Sequence, residues 1–335
     1  DHPVLVDHYL MGTEVEVDAI CDGKDVLLPG IMEHIERAGV HSGDSIAVYP
    51  PRTLSEHVIR TVIDYTMRMA RELEVKGMIN VQYIIRDGQV YVIEVNPRSS
   101  RTVPFLSKVT TIPMVDVATK CAMGVSLREQ GYKPGLQFFP DYWACKAPVF
   151  SFNKMSNVDI TLGPEMKSTG EVLAVDYQFS RALYKACIAS GINVPHEGAI
   201  LITVADRDKE EIVDIAAGFL ELGYEVLATS GTARYLKEHG VAVETATKVS
   251  EGTPNLLDDI KNGRIAMVIN TTDHGGDAGA ERDGFKIRRS TVEHAIPCLT
   301  SLDTAKALQR VMAAMRHRRI VSVVALSWVA SPRIR

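Results

Sequence analysis

Ile79-Asn80-Val81-Gln82-Tyr83-Ile84-Ile85-Arg86-Asp87-Gly88-Gln89-Val90-Tyr91-Val92-Ile93-Glu94-Val95-Asn96-Pro97-Arg98 reads as a β-hairpin turning at Asp87-Gly88 and stopped by proline. A three-residue loop, Arg86-Asp87-Gly88, is expected, with Gly88 in the left-handed position of a type I turn plus bulge. One face then carries Asn80, Gln82, Ile84, Val90, Val92, Glu94 and Asn96, and the other Ile79, Val81, Tyr83, Ile85, Tyr91, Ile93 and Val95, all apolar. A two-residue loop would move one strand by one place and mix the two sets. Gln82, Glu94 and Asn96 so converge at one end of one face, beside Arg98 and Arg101. Hard divalent cations take carboxylate and amide oxygens and share their other positions with phosphate and water. Arginines beside such an ion suit phosphoryl oxygens and developing charge. On the pattern alone, a solvated polar face with a surface salt bridge fits equally well.

Before the hairpin, residues 4–6, 14–21 and 25–31 have the alternation of strands, with a turn at Asp22-Gly23. A helix is expected from Leu54 to Val75. Thr53 and Glu56 form its capping box, Val58, Val62, Thr66, Met69 and Leu73 its buried stripe, and Gly77 its stop. Residues 102–194 mix helices (116–123, 180–190) with segments broken by Pro134, Pro140, Pro148 and Pro164, and Gly191 to Pro195 is the candidate linker. From Ala199 strand and helix alternate. Strands are expected at 199–204, 224–228, 241–244, 265–269 and 320–326, and helices after Asp208 (with Glu211 as its capping partner), at 255–261 and at 302–316. That pattern predicts a parallel sheet with helices on both faces, so the domains divide as 1–194 and 195–335.

With 335 residues, 46% of them hydrophobic and 24% charged, the chain has room for about two globular domains. A net charge of -5 without a basic block argues against nucleic acid as a partner. Cys21, Cys121, Cys145, Cys187 and Cys298 have no Cys-x-x-Cys spacing, as expected of reduced thiols in a cytoplasmic protein. The apolar run Ile320 to Ala330 is too short to span a membrane, and the opening residues have the character of mid-domain sequence rather than of a signal peptide.

Val81-Gln82-Tyr83 with Ile93-Glu94-Val95-Asn96-Pro97-Arg98-Ser99-Ser100-Arg101-Thr102 resembles the signature of ATP-grasp ligases in the form used by carbamoyl-phosphate synthetase. Asp18 to Gly23, Gly30 to Glu36, Ala38 to Ser45 and Gly163 to Val172 are similar to blocks of the same family, so the resemblance covers nearly the whole chain. It implies the C-terminal portion of an ATP-grasp domain followed by a parallel-sheet, methylglyoxal-synthase-like α/β domain, an α/β and α+β architecture. It implies Mg2+ or Mn2+ with ATP, and K+ besides. Metal ligands would be Gln82, Glu94 and Asn96, and Arg98 and Arg101 would face the phosphate and carbamate. Glu14 would hold the ribose hydroxyls, His8 and Leu10 would lie beside the nucleotide, and Gly39, Val40, His41 and Ser42 would line its pocket; the family pattern is one residue longer just before Glu14. Taken alone, His41 reads as a loop histidine. Because only the carbamate-phosphorylating half of the family's large subunit precedes a regulatory domain, the resemblance assigns the chain to that half. A glutaminase subunit supplying ammonia and an oligomeric enzyme come with it. The clamp half carrying the mobile lid is not in this sequence, so little activity is expected of the chain alone.

In the last domain, Ala228-Thr229-Ser230-Gly231-Thr232-Ala233 has the strand–turn–helix form that offers amides and hydroxyls to an anion. The resemblance assigns an allosteric nucleotide such as UMP or IMP to Lys209, Thr229, Thr232, Lys248, Asn270, Thr271 and Thr272. Ordinary helix caps and an exposed lysine pair are the plainer reading. Glu251-Gly252-Thr253-Pro254 stands where methylglyoxal synthases carry a catalytic aspartate, and Gly275-Gly276-Asp277 falls after the strand in a glycine-rich loop to Gly284, so a binding module is expected. Glu36 and Asp44 match acidic positions of an ornithine pocket, but Ala147 replaces its third acid, which argues against ornithine activation. Two other readings stand beside this one. One is a purely regulatory module with a structural ATP-grasp remnant. The other, a biotin-carboxylase-like or purine-pathway ATP-grasp ligase, is disfavoured by the Gly39 to Ser45 block and the appended domain.

Overall fold

In a computed structural model of the protein, the alternating stretch Thr13-Glu-Val-Glu-Val-Asp-Ala-Ile-Cys-Asp22 becomes β1 (Thr13–Asp22), an interior strand of a mostly antiparallel sheet. The structure describes residues 3–4, 6, 8–137, 139–155, 158–249, 252, 254–272 and 278–316, with 278–280 by backbone alone. The expected strand at 320–326, the tail from Ser327, Glu251, Thr253 and Gly275-Gly276-Asp277 lie outside the described residues. Two compact units emerge, one from the residues up to Ala147 with Leu173–Ala182, the other from Pro148–Val172 with the residues from Leu183.

After β1 the chain runs through β2 (Val26–Arg37), β3 (Ala47–Tyr49), α1 (Glu56–Glu72), β4 (Lys76–Arg86), β5 (Gln89–Asn96), α2 (Val103–Thr110), α3 (Met114–Ala122), β6 (Gly135–Leu136), β7 (Trp143–Val149), β8 (Gly170–Asp176) and α4 (Phe179–Ala189). The sheet order is β5-β4-β1-β2-β3-β7-β8, with β6 beside β2. Alternation in β1 decides which side each residue serves. Val15, Val17, Ala19 and Cys21 join Ile79, Val81 and Tyr83 of β4 and Val58, Val62 and Ala70 of α1 in one core cluster. Tyr83 ends in a buried 2.6 Å hydrogen bond with Thr66 of α1. On the opposite face, Ile20 packs with Leu106, Met114 and Val117 of α2 and α3, while Glu14, Glu16 and Asp18 make that side polar.

Gly30 of β2, opposite Asp18, has no room for a side chain: a Cβ there would overlap the Tyr49 ring. Gly30→Ala is therefore expected to lower unfolding free energy by about 1–3 kcal/mol, measured by denaturant titration, as other overpacked sites do.

Three local expectations are corrected. The hairpin loop has two residues, Asp87 and Gly88, both left-handed at φ 52° and 74°, because Arg86 pairs with Gln89. A bulge at Ile93 then restores the register, so that Gln82 faces Glu94 and Asn80 faces Asn96. Toward the tip, Val90 and Val92 pair with Ile85 and Tyr83, and Tyr91, Val92 and Ile93 are 41%, 44% and 46% exposed. Ser55, not Thr53, caps α1 by accepting from the Val58 amide; Thr53 instead donates its amide and hydroxyl to Glu33. Asp208 precedes its helix without a side-chain capping bond.

The second unit holds β9 (Ala199–Thr203), α5 (Lys209–Glu221), β10 (Glu225–Thr229), α6 (Ser230–Glu238), β11 (Glu244–Ala246), α7 (Leu256–Lys261), β12 (Ile265–Asn270), α8 (Ala278–Glu293), β13 (Cys298–Leu299) and α9 (Leu302–Met315). Its sheet is parallel, in the order β11-β10-β9-β12-β13. Ala199 and Leu201 of β9 pack with α7 and α8 residues Leu256, Ile260 and Ile287, while Ile200 and Ile202 are buried on the other face. Helices α5 and α9 are joined by Lys306 Nζ to Glu211 Oε1 at 2.7 Å and by Gln309 Nε2 to the Ile215 carbonyl at 2.6 Å. The expected strand at 241–244 lies later, at Glu244–Ala246. The expected loop as far as Gly284 is helical from Ala278, and Gly284 fits because a Cβ there would come within 2.9 Å of Arg288 Nη1. Arg288, 2% exposed, donates from Nε and Nη2 to both oxygens of Asp159 (2.7 and 2.6 Å) and from Nη1 to Asn270 Oδ1 (2.5 Å).

Candidate active site

Register builds the site. Directly opposed residues share a face, so Asn96, Asn80 and Asp18 form one row across β5, β4 and β1, and Glu94, Gln82 and Glu16 form the next. The three expected metal ligands therefore sit together at the edge of the sheet, where Asn96 Nδ2 donates to Glu94 Oε1 at 2.7 Å. Deeper in the same face, Glu14, Glu16 and Asp18 are 4%, 3% and 1% exposed. Asn80 Nδ2 bridges Glu16 Oε1 (2.8 Å) and Asp18 Oδ1 (3.2 Å). His34 of β2 stands between Glu14 and Glu16, with its ring nitrogens 3.7 and 3.6 Å from their oxygens. Those separations are too long for hydrogen bonds.

Burying acids side by side splits their behaviour. Burial, reinforced by the Glu16 charge, pushes Asp18 up to about 7 even though Ser100 and Asn80 hydrogen-bond it. For Glu16 burial acts in the same upward direction, but His34, Lys146 and the Asn80 amide outweigh it and hold the carboxyl low. Glu14 is raised, chiefly by burial. Lys146 of β7 is buried too, and donates to the Ser42 carbonyl at 3.1 Å.

Beyond β5, the loop of residues 97–102 carries Arg98 and Arg101, both exposed. Arg98 Nη1 donates to the Ser99 carbonyl at 3.0 Å. Underneath, Ser100 Oγ donates to Asp18 Oδ2 (2.7 Å) and Thr102 Oγ1 to Glu16 Oε2 (3.0 Å). Among the described residues no three His, Cys, Asp or Glu side chains are arranged to hold a metal ion. Glu94 with two amides is an oxygen-only, singly charged donor set. It fits a hard cation that takes its remaining ligands from phosphate and water.

The remaining expected nucleotide residues lie around the β1–β2 end of the sheet. Tyr9 Oη donates to the Ala38 carbonyl at 2.7 Å, laying the His8 to Leu10 segment beside Gly39. His41 Nδ1 accepts from the Gly43 amide at 3.0 Å, and so serves as a local cap. Glu36 and Asp44 are buried, and Glu36 Oε2 accepts from the Ile46 amide at 2.7 Å.

In the second unit, a cavity of about 480 Å³ opens at the C-terminal ends of β9 and β10. Lys209, Thr229, Thr232 and Lys248 line it, as do Arg282 and Lys286 of α8. The other three expected effector residues are not among its lining. Asn270 accepts from Arg288, Thr271 Oγ1 accepts from the Ala205 amide at 3.0 Å, and the Thr272 carbonyl accepts from Arg207 at 2.7 Å. Sequence reasoning placed Asn80 on the face of the first site without giving it a role, and missed Glu16, Asp18, His34 and Lys146 there and the α8 cations at the second. The alternation Glu14-Val-Glu16-Val-Asp18 was the available signal for the acids.

Residues 1–130 match the family model for the carbamoyl-phosphate synthase L chain, ATP binding domain, and residues 211–300 match the MGS-like domain. The antiparallel sheet is thus ATP-grasp-like, and the five-stranded parallel sheet is that of an MGS-like domain. Among solved structures, the biotin carboxylase domain of a single-chain bacterial carboxylase is similar at 17% identity and a TM-score of 0.43, over 53% of this chain and 46% of that one. The K. lactis urea amidolyase and the Kluyveromyces lactis urea carboxylase each match at 19% identity and a TM-score of 0.35 over 41% of this chain. This chain spans 8% and 12% of their lengths. No helix among the described residues is long and apolar enough to cross a membrane.

Proposed function

From a chain with the architecture of the C-terminal part of the carbamoyl-phosphate synthetase large subunit, we propose a ligase that makes carbamoyl phosphate from carbamate and ATP, and a second unit that regulates it. One observation carries the reading: the cross-strand pairs Gln82–Glu94 and Asn80–Asn96 set an oxygen donor set directly beside the arginine loop. A carbamate oxygen attacks the γ-phosphorus of ATP, the new P–O bond forms, and the bond to the departing ADP oxygen breaks with its electron pair leaving on ADP. Arg98 and Arg101 stabilise the charge on the transferring phosphoryl oxygens, and Glu94, Gln82 and Asn96 orient the phosphate end of the nucleotide. Bound there, Mg2+ or Mn2+ supplies neutralisation of the β- and γ-phosphate charge. Glu14, at the inner end of the same face, suits the ribose side. Ammonia from a glutaminase subunit, an oligomeric assembly, K+ and a cytoplasmic location complete the proposal.

The test is formation of carbamoyl phosphate by the intact synthetase carrying this sequence, given ATP, Mg2+, bicarbonate and ammonia. Arg98→Ala should lower kcat by about 10²–10³-fold, as removal of one charge-stabilising donor does elsewhere. Wild-type rates in that variant would refute the assignment.

For the second unit, the effector is an anionic nucleotide such as UMP or IMP. Its phosphate lies at the α6 N-terminus among Lys209, Lys248, Thr229 and Thr232. Lys209→Ala should weaken UMP or IMP binding by about tenfold or more in calorimetric titration, since one charge-assisted hydrogen bond contributes roughly 1.5–3 kcal/mol. Equal affinity in wild type and variant would remove the phosphate from this cavity.

A further inference from the structure

Three acids buried on one strand are costly, and similar-sized apolar residues would often leave such a position more stable. Their hydrogen bonds indicate what they do. Asp18 and Glu16 reach away from the core toward the one loop that carries the two arginines. Asp18 Oδ2 accepts from Ser100 Oγ at 2.7 Å, Ser100 Oγ accepts from the Thr102 amide at 3.0 Å, and Glu16 Oε2 accepts from Thr102 Oγ1 at 3.0 Å. Asn80 joins the two carboxylates from the β4 side and stands opposite Asn96. One hydrogen-bonded network thus joins Asn80 of β4, through Glu16 and Asp18 of β1, to the loop of residues 97–102, and Asn80 lies across from Asn96 in the strand pairing.

We infer that Asp18 and Glu16 are positioning residues for phosphoryl transfer, which fix the Arg98 and Arg101 backbone at a set distance from Glu94 and Asn96 by holding Ser100 and Thr102. The inference rests on the functional reading above and deepens it. Arg98 and Arg101 are exposed, so where their guanidinium groups sit depends on how firmly the loop backbone is held. Misplacement on the order of 1 Å costs about a hundredfold in rate at a site that works by orientation. The Thr102 bond to the Glu16 carboxylate is charge-assisted, the strong class of hydrogen bond, and the 2.7 Å bond from Ser100 to Asp18 holds the loop beside it. Their acceptors are held rigidly by a strand paired on both sides.

The experiment uses the intact synthetase with Asp18→Ala, Ser100→Ala, the double variant and Ser100→Thr. Two readouts are taken, steady-state kinetics and the rate of tryptic cleavage after Arg98 and Arg101 in the native protein. Ser100→Ala should speed cleavage at those bonds about fivefold or more, as loss of roughly 1 kcal/mol of local holding energy allows. It should also lower kcat about tenfold to a hundredfold with KM for ATP unchanged. Asp18→Ala should do the same, the double variant should be no worse than Asp18→Ala alone, and Ser100→Thr, which keeps the hydroxyl, should restore protection and rate. If Asp18→Ala does not fold, Ser100→Ala and Ser100→Thr decide the matter between them. Unchanged cleavage in Ser100→Ala, additive losses in the double variant, or a rise in KM with kcat intact would each overturn the inference. An unsubstituted enzyme that forms no carbamoyl phosphate while those bonds stay protected would overturn the functional reading instead.

Discussion

Glu94→Ala in the intact synthetase is expected to reduce carbamoyl phosphate formation by at least about a hundredfold. Glu94 is the only carboxylate of the three expected ligands, so without it two neutral amides, Gln82 and Asn96, face a cation and a polyphosphate. Such a set does not compete with water for Mg2+. The loss spreads further, because Asn96 Nδ2 also gives up its 2.7 Å acceptor and its amide can rotate. The side chain is exposed, so the protein should fold, and unfolding free energy should change by no more than about 0.5 kcal/mol, as at other surface positions. Raising Mg2+ should recover part of the rate in Gln82→Ala but little in Glu94→Ala. A Glu94→Ala enzyme with near-normal kcat would place the metal elsewhere.

Asp159→Ala carries the largest expected cost to stability, about 3 kcal/mol against the second unit, read from its denaturant midpoint. Asp159 accepts both hydrogen bonds of the Arg288 fork, and Arg288 is buried, so removal of the acid strands a guanidinium away from water. The figure is taken at the low end of the usual range because the Asp159 side chain is 36% exposed. Burial alone would raise the Asp159 carboxyl, but the Arg288 hydrogen bonds and the Thr161 amide outweigh it and hold it at about 2. A carboxylate depressed in the folded state stabilises above its unfolded value of 3.8 and loses that contribution as pH falls toward 2. Wild type should therefore lose stability faster than Asp159→Ala between about pH 4 and pH 2, and the two curves should converge at the acid end. Arg288 also bonds Asn270, so the variant should loosen the end of β12, where hydrogen exchange at Asn270 and Thr271 would report it.

Much of this was legible in the sequence, for reasons that differ along the chain. Gln82, Glu94 and Asn96 could be placed on one face because Val81, Tyr83 and Val95 alternate with them. The loop length could not be read. Residues 90–93 are all apolar, Val90-Tyr91-Val92-Ile93, so alternation there gives no face, and only pairing shows the bulge at Ile93. The alternation Glu14-Val-Glu16-Val-Asp18 resembles a strand with one wet side. What covers that side, Ser100, Thr102 and Lys146, is distant in sequence, so burial of the acids is a tertiary fact. Thr53 has the right spacing for a capping box, but Glu33 of another strand takes it, and Ser55 caps instead. The start of α8 was hidden by glycines, and with it the cations Arg282 and Lys286 of the cavity. The alternating pattern after Ala199 survived as a parallel sheet because both faces of β9 are apolar.

The most direct measurement of the central claim is ATP formation from carbamoyl phosphate, ADP and Mg2+ by the intact synthetase, the reverse of the proposed step at a single site. The account predicts that ATP forms and that Glu94→Ala and Arg98→Ala each reduce its rate to about one percent of wild type or less. A wild-type enzyme that forms no ATP, or a Glu94→Ala enzyme that forms it at the normal rate, would contradict the account.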